Sequence, residues 1–167
     1  KLTGLMLLLC EGFILLHAIG YARHAFQSGK LDKKIFTSYQ DMAGLPSVAI
    51  VTAARHEPRA VLERTLSTLK ALDYPNKTVY LLDDSTEQSY MQEADALGKE
   101  FGIMVFRREA RHGAKAGIIN DILTSLNDKY LVVFDADQNP MPDFLRKTLP
   151  IIESDPEIAF VQTPQIY

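Results

Sequence analysis

Tryptophan is absent from this 167-residue chain, and cysteine occurs once, at Cys10. A lone cysteine excludes an internal disulfide and a thiolate-held metal cluster. There is also little imbalance of charge, since 18 basic and 21 acidic residues leave a formal net charge of −3. That balance gives no broad attraction for nucleic acid. Internal repeats and low-complexity segments are missing as well. So is a Walker-type phosphate loop, because "HGAKAGI" does not meet the Gly, four residues, Gly-Lys-Ser/Thr spacing. No glycine-rich dinucleotide fingerprint follows the first predicted strand. What remains is a chain long enough for one domain with a true core plus one extra element.

The extra element is N-terminal. Residues 2–22, "LTGLMLLLCEGFILLHAIGYA", form a nearly continuous apolar run, about the length needed to cross a bilayer core. The run lacks the short basic region and small-residue cleavage site of a signal peptide, so a transmembrane helix over 1–28 is predicted. Glu11 and His17 interrupt it, which predicts further transmembrane helices, beside membrane lipid, for them to face. Arg23, His24, Lys30, Lys33 and Lys34 follow the run. Basic flanks of this kind favour the cytoplasmic side of an inner or plasma membrane, so the globular part is expected there. Residues 29–46 read equally as a linker or as a segment lying on the membrane surface. The chain starts without Met, and a longer parent protein is expected.

From residue 47 onward short β-branched runs alternate with amphipathic stretches. Strands are predicted at 47–53, 77–85, 103–108, 129–137 and 157–163, and helices at 58–72, 87–101, 114–126 and 141–154, with Pro150 kinking or shortening the last. This alternation predicts an α/β domain over 47–167: a mostly parallel sheet with helices on both faces. Ligands bind such sheets at the carboxyl ends of strands. There the sequence places Arg55-His56-Glu57, Asp83-Asp84, and the pair Asp135 and Asp137 in "LVVFDADQNP". Singly, each acid reads as a turn former or helix cap. Together at one edge they suit a hard divalent cation, Mg²⁺ or Mn²⁺, whose shell diphosphate oxygens would complete. Lys115, beside Gly113 and Gly117 at the start of a helix, could meet an anion. The basic stretch "FRREARHGAKAG", residues 106–117, points the same way, to a small phosphate-bearing ligand.

Five segments in order then resemble the family 2 processive glycosyltransferases of the cellulose synthase and hyaluronan synthase type. They are "AARHE" (53–57), "YLLDDS" (80–85), "RHGAKAG" (111–117), "FDADQNP" (134–140) and "VQTPQIY" (161–167). The resemblance implies a GT-A, Rossmann-like domain that takes a UDP-sugar donor, a divalent cation and a glycan acceptor, without nucleic acid. By position it places Arg55 and Glu57 beside the nucleotide, Asp83 or Asp84 at the uracil ring, and Lys115 on the nucleotide or its diphosphate. It puts Asp135 near ribose and diphosphate, Asp137 on the metal, and Thr163, Pro164 and Gln165 near the donor sugar. The chain departs from the family pattern at Ala53 and His56, at Gly113, which looks inserted, and at Ile118, where Asn is usual. The family's catalytic base and its Gln-x-x-Arg-Trp acceptor motif lie further along. The resemblance therefore implies a base beyond Tyr167 and a C-terminally truncated domain that carries donor residues and no catalytic residue. Two other readings stay open from the residues: a membrane-tethered nucleotide-sugar-binding subunit, and an Asp-x-Asp phosphohydrolase.

Overall fold

The computed structural model describes residues 2–31 and 44–165. Most of segment 29–46, read above as linker or interfacial, lies outside the described residues. So does Tyr167, the residue beyond which the base is expected, together with Ile166 before it. Helix α1 runs Leu2–Leu31, three residues past the predicted end at residue 28. Its stretch Thr3–Gln27 is long and apolar enough to cross a membrane. Its large side chains are exposed all round, Leu8 at 68% and Leu16 at 71%, as a lipid-facing helix requires.

The remaining elements are β1 (Val48–Ala54), α2 (Arg59–Lys70), β2 (Lys77–Asp83), α3 (Gln88–Phe101), β3 (Met104–Phe106), α4 (Ala114–Leu123), β4 (Tyr130–Asp135) and α5 (Phe144–Glu153). The described residues form two units, one of residues 44–149 and one of residues 2–31 with 150–165.

In the larger unit the four strands make one sheet in the order β3-β2-β1-β4, with every pairing parallel. β1 is "VAIVTAA", apolar almost throughout, because it lies between β2 and β4 and is covered on both faces. Alternation along the strands separates two cores. Leu81 and Ala54 face Leu62, Leu66, Ala94 and Leu97 from α2 and α3. Val51 and Leu82 face Ile118 and Ile122 from α4. Ile118, where the family pattern has Asn, is thus a core residue, fully buried.

Helix ends follow local chemistry. Pro58, with φ −57°, caps α2 where its missing N–H costs nothing. Gly102 closes α3 in the left-handed region at φ 58°. Helix α5 continues through Pro150 to Glu153, so the proline does not shorten it.

The predicted fifth strand is corrected. Residues 157–163, in the smaller unit, are irregular and mostly exposed. Their backbone is tied locally, Ile158 N–H donating to Asp155 O at 3.1 Å and Glu157 N–H to Asp155 Oδ1 at 2.9 Å. β-branched composition favours a strand only where a partner strand closes the ladder.

Candidate functional site

The strand order reverses between β1 and β4, since β2 and β3 extend the sheet on one side of β1 and β4 on the other. Such a switch point opens a crevice at the carboxyl ends. Asp135 ends β4 there, opposite Ala53 of β1. The one-residue spacing of the two acids has a packing cause: Ala136 between them is 8% exposed and belongs to the core beneath α2 and α3. Burying Ala136 turns Asp135 and Asp137 outward, and both are exposed. The turn is held by Thr65 of α2, itself 1% exposed, whose hydroxyl donates to Ala136 O at 2.7 Å. Gln138 closes it from the other side: Asp135 N–H donates to Gln138 Oε1 at 2.9 Å, and Gln138 N–H to Asp135 O at 3.1 Å. Lys115, in the first turn of α4, forms an ion pair with Asp135.

The acids at the end of β2 have the opposite character. Asp83 and Asp84 have side chains only 1% and 7% exposed, and buried carboxylates need partners. Arg107 Nε donates to Asp83 Oδ2 at 2.7 Å and continues to Asp95 and to Met91 O, tying β2 to α3. Arg108 grips Asp84 with Nε and Nη2, each at 2.9 Å, and Arg111 Nε adds a bond at 3.1 Å. Burial pushes the Asp84 carboxyl up, but the hydrogen bonds from Arg108 and Arg111 outweigh it and hold the group below its ordinary range. The basic stretch 106–117 therefore serves largely internal acids. Its arginines meet Asp83, Asp84, Asp95 and Asp121, whereas Lys115, its side chain 43% exposed, meets Asp135.

At the end of β1 the chain turns sharply. His56 has φ 63°, a left-handed conformation uncommon outside glycine. Arg55 N–H donates to the Glu57 carboxylate, and His56 Nε2 accepts from Thr86 N–H at 3.0 Å. The ring of His56 stacks on Tyr90 with centroids 4.9 Å apart. A small cleft lies here, lined by His56, Glu57, Asp83, Ser85, Tyr90 and Glu93. Asp83 faces it, whereas Asp84 is turned to the arginines.

The larger unit thus gathers Glu57 and Asp83 at one cleft, and Lys115 and Asp135 in one contact. Arg55 and Asp137 are exposed at the same carboxyl edge. Thr163, Pro164 and Gln165 are exposed residues of irregular backbone in the other unit, and Tyr167, which ends the same "VQTPQIY" segment, lies outside the described residues. Among the described residues no three His, Cys, Asp or Glu side chains gather as a metal cage. The donor set that exists, two outward carboxylates, fits a magnesium-like ion that takes its other oxygens from phosphate and water. Thr65, Gln138, Arg107 and Arg108 were not anticipated as supports. The Arg-Arg pair directly after a short strand was the available signal.

Comparison with known proteins bears on this arrangement. Residues 47–167 match the family described as Glycosyl transferase family 2. Cellulose synthase 2 of Novacetimonas hansenii is 32% identical over 139 residues, covering 82% of this chain and 8% of that protein. Putative cellulose synthase 2 of Komagataeibacter xylinus is 31% identical over 164 residues, covering 96% of this chain and 10% of that protein. The chain therefore spans no more than 10% of the length of these two relatives. Among solved structures, the mannosyltransferase PcManGT from Pyrobaculum calidifontis in complex with GDP-Man and Mn²⁺ superposes with a TM-score of 0.61 at 19% identity, over 84% of this chain and 45% of that one. S. aureus TarS 1-349 in complex with UDP gives 0.54 at 17% identity, over 71% and 38%. Both share the fold.

Proposed function

The chain belongs to glycosyl transferase family 2, and on that premise we propose that its parent protein is a membrane-bound inverting glycosyltransferase. It moves a sugar from a UDP-sugar to a growing polysaccharide or other glycan, and this domain supplies the donor site on the cytoplasmic face. The observation that supports this best is the pair Asp135 and Asp137, turned outward at the switch point with Lys115 beside them. Relatives named as cellulose synthases support the polymer product, and the apolar helix α1 supports the membrane.

Asp137, with Asp135, would hold the divalent cation, Mg²⁺ or Mn²⁺. When bound, such an ion supplies Lewis-acid stabilisation of the departing diphosphate. The chain's own residues do the rest of the donor's handling. Lys115 Nζ exchanges its contact with Asp135 for the diphosphate, helped by the amino-terminal end of α4. Asp83, at the cleft beside Glu57 and Ser85, accepts from the uracil N–H. It keeps capacity for this because a carboxylate offers about four lone-pair sites, and Ser85 N–H and Arg107 occupy two. Arg55 borders the nucleotide, and Thr163, Pro164 and Gln165 are assigned to the sugar end by the resemblance. The proton of the attacking acceptor hydroxyl goes to a base beyond Tyr167, outside this segment.

Calorimetric titration of UDP into the detergent-solubilised protein, with and without Mn²⁺, tests the reading. Wild type should bind in a metal-dependent manner, and Asp137→Ala, folded by circular dichroism, should lose that dependence. Metal-independent binding in both proteins, or none in either, would overturn the assignment.

A further inference from the structure

Lys115 is useful to a donor only if the turn before it has one conformation, and that turn is strained. Gly113 has φ 59° and Ala114 φ 47°, two successive left-handed residues of which the second carries a Cβ. A non-glycine residue stays there when its surroundings over-determine it. Gly117 N–H donates to Gly113 O at 2.9 Å, His112 Nε2 lies 3.4 Å from Asp121 and Arg111 Nε bonds Asp84 at 3.1 Å, but one side chain spans the strained residues themselves. Arg108, 4% exposed, donates from Nη1 to His112 O and from Nη2 to Ala114 O at 3.2 Å, bracketing Gly113. The same guanidinium grips both oxygens of Asp84 at 2.9 Å, and Nη1 faces Asp121 Oδ2 of α4 at 3.5 Å. All five N–H groups of the fork are thereby directed at acceptors. The bare Cα of Gly117 makes room, since a Cβ there would lie 2.6 Å from Nη1. Arg108 consequently has no donor left for a ligand, yet it joins the end of β2 to the first turn of α4.

We propose that Arg108 is a positioning residue of the donor site: it fastens the 109–114 turn that presents Lys115, and nucleotide affinity depends on it through Lys115. The proposal rests on the donor-site reading above. A purely structural ion pair with Asp84 would affect stability alone, so the test reads coupling. Arg108→Lys keeps the charge but cannot hold two carboxylate oxygens and two carbonyls at once. UDP is titrated with Mn²⁺ into wild type, R108K, Lys115→Met and the double variant, and amide exchange is followed by mass spectrometry.

R108K should weaken UDP binding about tenfold, the scale seen when an outer support of a ligand group is removed. Adding it to Lys115→Met should cost less than roughly twofold more, because the two share one path. Exchange should quicken across 109–117 and stay unchanged in β1 and β2. Multiplying losses in the double variant, or unaltered UDP affinity in R108K, would overturn the proposal. Should R108K fail to fold, Asp121→Asn, which removes one anchor of Arg108, is read by the same two criteria. Failure of wild type to bind UDP defeats the donor-site reading instead. Exchange then decides whether Arg108 fastens the turn, and unchanged rates at 109–117 overturn it.

Discussion

Replacing Gly117 by alanine puts a methyl group where the fold has reserved none. Gly117 is buried in the first turns of α4, and exchanging glycine for alanine in a helix interior ordinarily gains about 1 kcal/mol. Here the added Cβ would overlap the backbone carbonyl of His112 outright and approach Arg108 Nη1 to 2.6 Å. A carbonyl fixed between Arg108 and the turn cannot swing aside as a side chain would. Relief requires moving the turn, which also stretches the 2.9 Å bond from Gly117 N–H to Gly113 O. Overpacking of this kind costs about 1–3 kcal/mol, and a weakened hydrogen bond adds about 1 kcal/mol. Against the helical gain, a net loss of about 2 kcal/mol follows, a fall of about 1 M in urea midpoint at a slope near 2 kcal/mol/M. Gly98→Ala in α3 supplies the contrast: its obstacle, Val105 Cγ2 at 2.5 Å, is the end of a side chain, so its loss should be smaller. Urea titration followed by circular dichroism measures both, and UDP titration should show weakened binding for G117A alone. A G117A protein as stable as wild type, with unaltered UDP affinity, would refute the claim that this turn is rigid and sets Lys115.

Two further outcomes follow from the same contacts. Thr65→Val leaves the Ala136 carbonyl without its 2.7 Å donor, so stability should fall by about 1–3 kcal/mol and Mn²⁺-dependent UDP binding should weaken with it; unchanged stability in a urea titration would contradict the role of Thr65. Asp84→Asn sets an amide where guanidinium N–H groups expect a carboxylate, and should cost about 3 kcal/mol at pH 7. The Asp84 carboxyl is held below its usual range in the fold, so its stabilisation is complete above the unfolded value and is lost as pH falls through the folded one. The gap in urea midpoint between wild type and D84N should therefore stay constant near neutrality and narrow below about pH 4; a gap that widens in acid would refute the pairing.

Much of this was legible in the residues themselves. "VAIVTAA" and "KTVYLLD" carry the continuous apolar character of doubly covered strands, and both are strands within a residue or two of the predicted bounds. The parallel order followed from the alternation of strands with helices. Residues 157–163 misled because β-branched composition reports a preference, while a strand also needs a neighbouring edge. The placement of Asp135 and Asp137 at a strand end could be read from spacing. The allocation of charges could not, since it depends on contacts between residues far apart in sequence, such as Thr65 with Ala136 and Arg108 with Asp84. The basic run looked like an anion site because its buried acidic partners, Asp83 and Asp84, sit 24 residues or more earlier in the chain.

The two acidic pairs show why spacing alone does not name a metal site. Asp83 and Asp84 are adjacent, so alternation along β2 and its exit sends both into packed surroundings, where their side chains are 1% and 7% exposed. Stripped of water, each carboxylate requires a fixed cation, and the arginines after β3 provide it. A metal entering there would have to displace a guanidinium from a buried partner and leave that charge unpaired, which is prohibitive. Asp135 and Asp137 differ by one small buried residue between them. Ala136 anchors the turn to the core, and the acids on either side stay in water, Asp135 with its side chain 52% exposed. The partner of Asp135 is a lysine on a flexible stem, itself 43% exposed. An ion pair so hydrated is worth about 1 kcal/mol or less, so a diphosphate and its cation can replace it at small cost. Exchangeability, set by burial rather than by the count of carboxylates, favours the end of β4 over the end of β2 as the place where a cation and its diphosphate could enter.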